Sequence, residues 1–125
     1  MCLCSAADEY IVRHFDKYMS RAGSAAAVSV LRVYDPERRT GTVNDTVKRY
    51  CLIDADASRF IAPTRTDVMR HNVIVTTLVT SLMLTKLRFK GHFTHIFIDE
   101  AAQVCLLTYC VCLLFHQCVG TVGWL

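Results

Sequence analysis

What this 125-residue sequence lacks bounds it first. No stretch offers successive glycines followed by a lysine, so these residues contain no backbone-amide cradle of the glycine-rich kind that holds nucleotide phosphates. From Val104 to Leu125 there is no Asp, Glu, Lys or Arg. Excess charge of either sign is small, since 14 Lys and Arg against 11 Asp and Glu leave a formal net charge of +3. That suits a polyanionic partner but falls well short of the basic bias that would argue for one alone. The opening residues show no basic region followed by an apolar core, so no secretory leader is expected and the seven cysteines read as reduced thiols of an intracellular protein. Cys2-Leu3-Cys4 and Cys110-Val111-Cys112 are too tightly spaced for a zinc knuckle. A chain of this length forms one small domain at most.

The most informative stretch is His95 to Gln103, which reads His-Ile-Phe-Ile-Asp-Glu-Ala-Ala-Gln. Ile96, Phe97 and Ile98 make a short apolar run of the kind a buried parallel strand uses. The run stops at two adjacent carboxylates, Asp99 and Glu100. A strand that ends this way sets both at the carboxyl edge of the sheet, where open α/β folds bind ligands. There one carboxylate can hold Mg²⁺ and the next can orient or deprotonate a water. The plainer alternative is a helix whose first turn is acidic because that suits its dipole.

Taken in order, Ser5 reads as a helix cap with Asp8 as its capping-box acid, and apolar residues at helical spacing carry a helix to a stop at Gly23. His14 borders that apolar stripe. Val28 to Tyr34 is a β-branched strand whose only charge is Arg32. Asp35 to Gly41 is a turn-rich polar loop, in which Arg38 and Arg39 read more simply as solvated than as phosphate contacts. Val43 to Tyr50 suggests a short helix begun by Asn44 or Asp45, and Thr66 or Asp67 can cap another through Arg70. Asp54 to Pro63 has no clean period. Val73 to Val79 is a second strong strand, Ser81 to Leu87 a helix over the sheet, and Thr94 to Ile98 a third strand. This alternation predicts an α/β fold with three mutually parallel strands joined by right-handed crossovers. The uncharged tail at 104–125 leaves three readings open: a buried helix, a membrane-contacting segment, or a departure from the domain through a change of frame or splice junction. It also leads us to expect an exposed apolar patch and poor solubility.

With the pieces placed, residues 4–103 resemble the middle of the first RecA-like domain of superfamily 1 RNA helicases. The nearest branch is the helicase-with-zinc-finger group, related to the Mov-ten and nonsense-mediated-decay helicases. Asp99-Glu100-Ala101-Ala102-Gln103 resembles the nucleotide-hydrolysis motif. Ser5-Ala6-Ala7-Asp8 is similar to the end of a motif whose helix start meets the nucleic-acid backbone, although Leu3-Cys4 stand where the family has Ser-Asn. Leu31-Arg32-Val33-Tyr34 and Tyr50-Cys51-Leu52-Ile53 resemble stretches of the same region. Val73 to Ser81 is similar to a strand-plus-threonine motif whose hydroxyls meet RNA phosphates.

The resemblance implies a P-loop NTPase that uses ATP and Mg²⁺. In that reading Asp99 holds the metal, Glu100 orients the attacking water, and Gln103 couples the nucleotide to nucleic acid. Ser5, Thr77, Thr80 and Ser81 would contact single-stranded RNA in a cytoplasmic or nuclear setting, with ribonucleoprotein partners. The phosphate-loop strand and the second RecA-like domain have no counterpart here, so residues 1–103 are expected to be an incomplete RecA-like sheet with flanking helices, inactive alone. Non-catalytic RNA binding, or association with a partner or membrane through the tail, is the alternative.

Overall fold

In the computed structural model, residues 4–22, 28–89, 92–98 and 122–124 are described. They fall into two units, residues 1–77 and 78–125. The first unit opens with helix α1 (Cys4–Tyr10), a π-helical turn (Ile11–Phe15) and helix α2 (Asp16–Ala22). The Asp16 amide reaches back five residues to the Ile11 carbonyl, the widened spacing that defines such a turn. Ile11 is buried there. Ser5 therefore lies inside α1 rather than capping it. Asp8, expected as a capping acid, points instead to a partner on the sheet.

Strand β1 (Val30–Arg32) and its partner far along the chain confirm one expectation. Strands β2 (Ile53–Asp54), β3 (Arg59–Phe60) and β4 (Val73–Val75) follow it, and β4 pairs with β1 in parallel, Val30 opposite Val73 and Arg32 opposite Val75. The start of this pair is fixed by a reciprocal clamp. The Ser29 amide donates to Asn72 Oδ1 at 2.9 Å, and the Asn72 and Val73 amides donate to the Ser29 carbonyl. Between them, β2 and β3 form an antiparallel hairpin, Ile53 opposite Phe60. That hairpin was not foreseen, because strands of two residues are too short to show a period of two. Its turn has a local cause: Asp54 Oδ1 accepts from the amides of Asp56 and Ala57.

Two short helices complete the unit. Helix α3 (Asp45–Lys48) is capped by Asn44, whose Oδ1 accepts from the Thr46 amide, as expected. Helix α4 (Arg65–Met69) starts two to three residues earlier than Thr66 or Asp67 would allow as caps. Thr64 is its cap, and Asp67 closes a reciprocal capping box with it. The core gathers Ile11, Tyr34, Val43, Val47 and Phe60, with Tyr50, Cys51, Ile53 and Val75 packed against it.

In the second unit, helix α5 (Leu78–Thr85) buries Ser81 and Leu84. The strand expected over Val73 to Val79 thus ends at Val75. Phe89 is buried beside His92 and Phe93, with ring centroids 5.6 and 5.5 Å away. Strand β5 (Ile96–Ile98) pairs in parallel with β6 (Val122–Trp124), not with β1 or β4. The expected three-stranded sheet is therefore replaced by a parallel pair in each unit and a hairpin in the first. Phe97 is 70% exposed, so this strand is not buried on both faces. Among the described residues, no helix is long and apolar enough to cross a membrane.

Candidate functional site

Strand β5 delivers the chain to Asp99 as the apolar run Ile96 to Ile98 suggested, but Asp99, Glu100 and Gln103 lie outside the described residues. Ser5 sits in the first turn of α1. Thr77 follows β4 at the end of the first unit, half-buried, and its carbonyl accepts from the Thr76 hydroxyl at 3.3 Å. Thr80 and Ser81 lie in α5 of the second unit. Ser81 is buried, and its one hydroxyl proton goes to the Leu78 carbonyl at 2.6 Å. Among the described residues, no group of three or more His, Cys, Asp or Glu side chains is placed to hold a metal ion.

The described residues do assemble a polar cluster that pattern reading missed. Arg32 is fully buried on β1, and its Nε donates to Asp8 Oδ1 at 2.8 Å, tying α1 to the sheet. Its Nη1 reaches the carbonyls of Val33 and Val75, and its guanidinium carbon stands 4.3 Å from the centroid of the Tyr34 ring. Arg32 Nη2 and the Tyr34 hydroxyl are buried and have no hydrogen-bond partner among the described residues. A second tie joins α2 to the segment after α3, where Asp16 Oδ1 accepts from the Tyr50 hydroxyl at 2.8 Å and from Arg49 at 3.0 Å. The only signal for the first tie was a lone charge in a β-branched strand. A charge there must find an opposite partner, and the sequence alone does not say which of 11 acids it takes.

Three ionisable groups beside these ties are shifted, and burial raises the Tyr34 hydroxyl well above the usual tyrosine range. Burial pushes the Cys51 thiol up to about 12, with the nearby Asp8 carboxylate adding to the rise and Arg32 opposing it. Its Sγ also donates to the Val47 carbonyl. Burial, then the hydrogen bond to Asp16, pushes the Tyr50 hydroxyl up to about 12. Cys51 and Tyr50 keep in the folded chain a proton that the unfolded chain loses from about pH 9 (Cys) and 10 (Tyr) upward. The stability they contribute is complete below those values and is lost as pH rises through 12. We therefore expect Cys51 to resist alkylation by iodoacetamide at pH 8 until urea unfolds the chain. Peptide-resolved mass spectrometry reads this directly, and rapid labelling of Cys51 in the native chain would contradict the burial.

Comparison with known proteins bears on what these elements belong to. Over 100 residues, 79% of the chain, the sequence is 48% identical to a probable helicase with zinc finger domain from Danio rerio and 45% identical to its counterpart from Homo sapiens. The chain belongs to the helicase-with-zinc-finger family. It spans about 5% of the length of these relatives. A 3'-5' exoribonuclease, HELZ2 of Homo sapiens, is 38% identical over 101 residues, covering 80% of this chain and 3% of that protein. No family model matches the chain, and no solved structure matches it. The helicase relationship thus rests on sequence. The parallel pairing of β1 with β4 and the flanking helices are consistent with part of a helicase domain.

Proposed function

We propose that this chain supplies the nucleotide-hydrolysis motif and part of the RNA-contacting surface of an ATP-dependent superfamily 1 helicase. The observation that carries the reading is the 44–48% identity to helicase-with-zinc-finger proteins over 100 residues. The string Asp99-Glu100-Ala101-Ala102-Gln103 directly after an apolar strand adds to it. In this reading Asp99 is the Mg²⁺ ligand, Glu100 positions the water that attacks the γ-phosphate, and Gln103 links nucleotide to RNA. The hydroxyls of Thr77 and Thr80 and the helix start at Ser5 meet phosphates of a single strand.

The 125 residues contain neither the amide cradle nor the lysine that neutralise nucleotide phosphates, and such electrostatic groups are typically worth about 10²–10³-fold each in turnover. The chain alone is therefore expected to bind single-stranded RNA without hydrolysing ATP. Fluorescence anisotropy with a labelled oligouridylate should show binding that Thr77→Ala/Thr80→Ala weakens by roughly tenfold, two hydrogen bonds at about 0.7 kcal/mol each. RNA binding untouched by that double change would remove the threonines from the reading. RNA-stimulated turnover abolished by Glu100→Gln would show that these residues suffice for hydrolysis after all.

A further inference from the structure

The loop from Pro36 to Gly41 and the hairpin residues Ser58 and Arg59 line an open cleft of about 330 Å³. Three arginines line it, Arg38, Arg39 and Arg59, against one acidic residue, Glu37. Arg39 and Arg59 are directly paired in an antiparallel bridge. Residues opposite each other in such a bridge put their side chains on the same face, where like charges repel. The ion pairs among the described residues use Arg13, Arg32, Lys48 and Arg49, and none of the three cleft arginines.

The cleft is built rather than incidental. The Thr40 hydroxyl donates to the Ser58 carbonyl at 2.9 Å, which pins the hairpin turn onto the loop. Ser58 holds a left-handed backbone, φ 47°, that a residue with a side chain adopts only at some cost. The loop is itself held in a turn, with the Arg38 amide donating to the Asp35 carbonyl at 3.0 Å and the Glu37 amide to Asp35 Oδ1 at 2.9 Å. Arg38 lies over the buried Tyr34 ring, its guanidinium carbon 4.7 Å from the ring centroid. A guanidinium held by its face keeps its in-plane N–H edges available to an anion.

We propose that this cleft is a phosphate-binding site, in which Arg38 and the opposed Arg39–Arg59 pair share the oxygens of one phosphate group. The bound dianion supplies the counter-charge that the bridge otherwise lacks. The phosphate can belong to a polynucleotide backbone or arrive as a free ion, and the chemistry of recognition is shared. None of the residues assigned to RNA or nucleotide above takes part, so the site stands apart from that assignment.

The full chain, melted with added sodium phosphate or pyrophosphate against sodium chloride at equal ionic strength, decides the matter. Phosphate should raise the melting temperature of the natural chain and of Lys17→Gln, a charge loss elsewhere on the surface. Arg59→Glu turns a repelling pair into an attracting one, so it should melt higher than the natural chain in chloride and lose the phosphate response. Arg39→Gln should lose the response as well. A second arm titrates labelled oligouridylate into Arg39→Gln/Arg59→Gln. If backbone phosphate fills the cleft, binding weakens about 3–10-fold and the dependence on salt becomes shallower by about one to two counterions. If RNA affinity is unchanged while the phosphate response disappears, the source is the free ion and the site stands. Phosphate that stabilises the natural chain and both arginine variants equally, with RNA binding unchanged, overturns the proposal. Loss of RNA binding in Thr77→Ala/Thr80→Ala would still support the function proposed above.

Discussion

Asp8→Ala should destabilise the first unit by about 3–5 kcal/mol, more than any surface change in it. The reason is the partner left behind. Arg32 has no exposed side-chain surface, and among the described residues Asp8 is the only carboxylate paired with it and one of its two terminal nitrogens has no hydrogen-bond partner. Removing the carboxylate strands a charged guanidinium on β1 among Leu31, Val33 and Tyr34, all buried. It also releases α1, which Asp8 ties to the sheet. Arg32→Met should cost less, because Asp8 is 18% exposed and can turn toward water. The double change Asp8→Leu/Arg32→Met should recover much of the loss, as apolar replacements of buried ion pairs often do. Urea unfolding followed by circular dichroism measures all three. An Asp8→Ala midpoint that leaves stability within about 1 kcal/mol of the natural chain would show that the pair is solvated and not buried.

Phe60→Ala is expected to cost about 3–5 kcal/mol, the range for emptying a buried aromatic site. Phe60 is 3% exposed, stands 4.7 Å from the Tyr34 ring centroid, and is the buried residue of the β2–β3 hairpin, with Ile53 packed beside it at the core's edge. Two strands of two residues each have too few ladder bonds to persist alone. The hairpin therefore depends on this side chain, and its loss should also free the turn that Ser58 holds against Thr40. Hydrogen exchange would resolve the two effects, since the Ile61 amide, bonded to the Leu52 carbonyl, should lose protection first. Phe60→Leu, which keeps most of the volume, should fall well below half the alanine cost. Equal costs for the two would argue that the ring is not packed.

The parts of the fold legible in the sequence were those with long, β-branched or capped signals. Val28 to Tyr34 and Val73 to Val79 announced β1 and β4, and their spacing around short helices announced a parallel pair. Asn44 before Asp45 announced α3. Much of what failed was decided by partners distant in sequence. Leu78 and Val79 have strong strand character, yet they open α5, since helix and strand are equally open to a short apolar run and packing arbitrates. Thr94 to Ile98 read as the third strand of one sheet, yet β5 takes Val122 to Trp124 from the uncharged tail. Arg32 was visible as an isolated charge, but Asp8 looked equally suited to a local cap 24 residues away from it. The candidate site divides the same way. Asp99, Glu100 and Gln103 were legible as a motif because their meaning is local, and they lie outside the described residues. Arg38 and Arg39 were visible only as a charged loop, because Arg59 joins them through a hairpin that carries no period.

The clamp between Ser29 and Asn72 has a consequence for the order of events during synthesis. The two residues are 43 positions apart, and among the described residues β1 gains its ladder partner when β4 arrives. At about 5–20 residues per second, a ribosome leaves β1 waiting for about 2–9 seconds after it emerges. Throughout that interval Val30, Leu31 and Arg32 lack the strand that pairs with them, and of the elements already made α1 holds them through the Asp8–Arg32 tie. A nascent chain stalled between Ser29 and Asn72 should accordingly recruit holdase chaperones, and one stalled far enough beyond Val75 for β4 to clear the exit tunnel should release them.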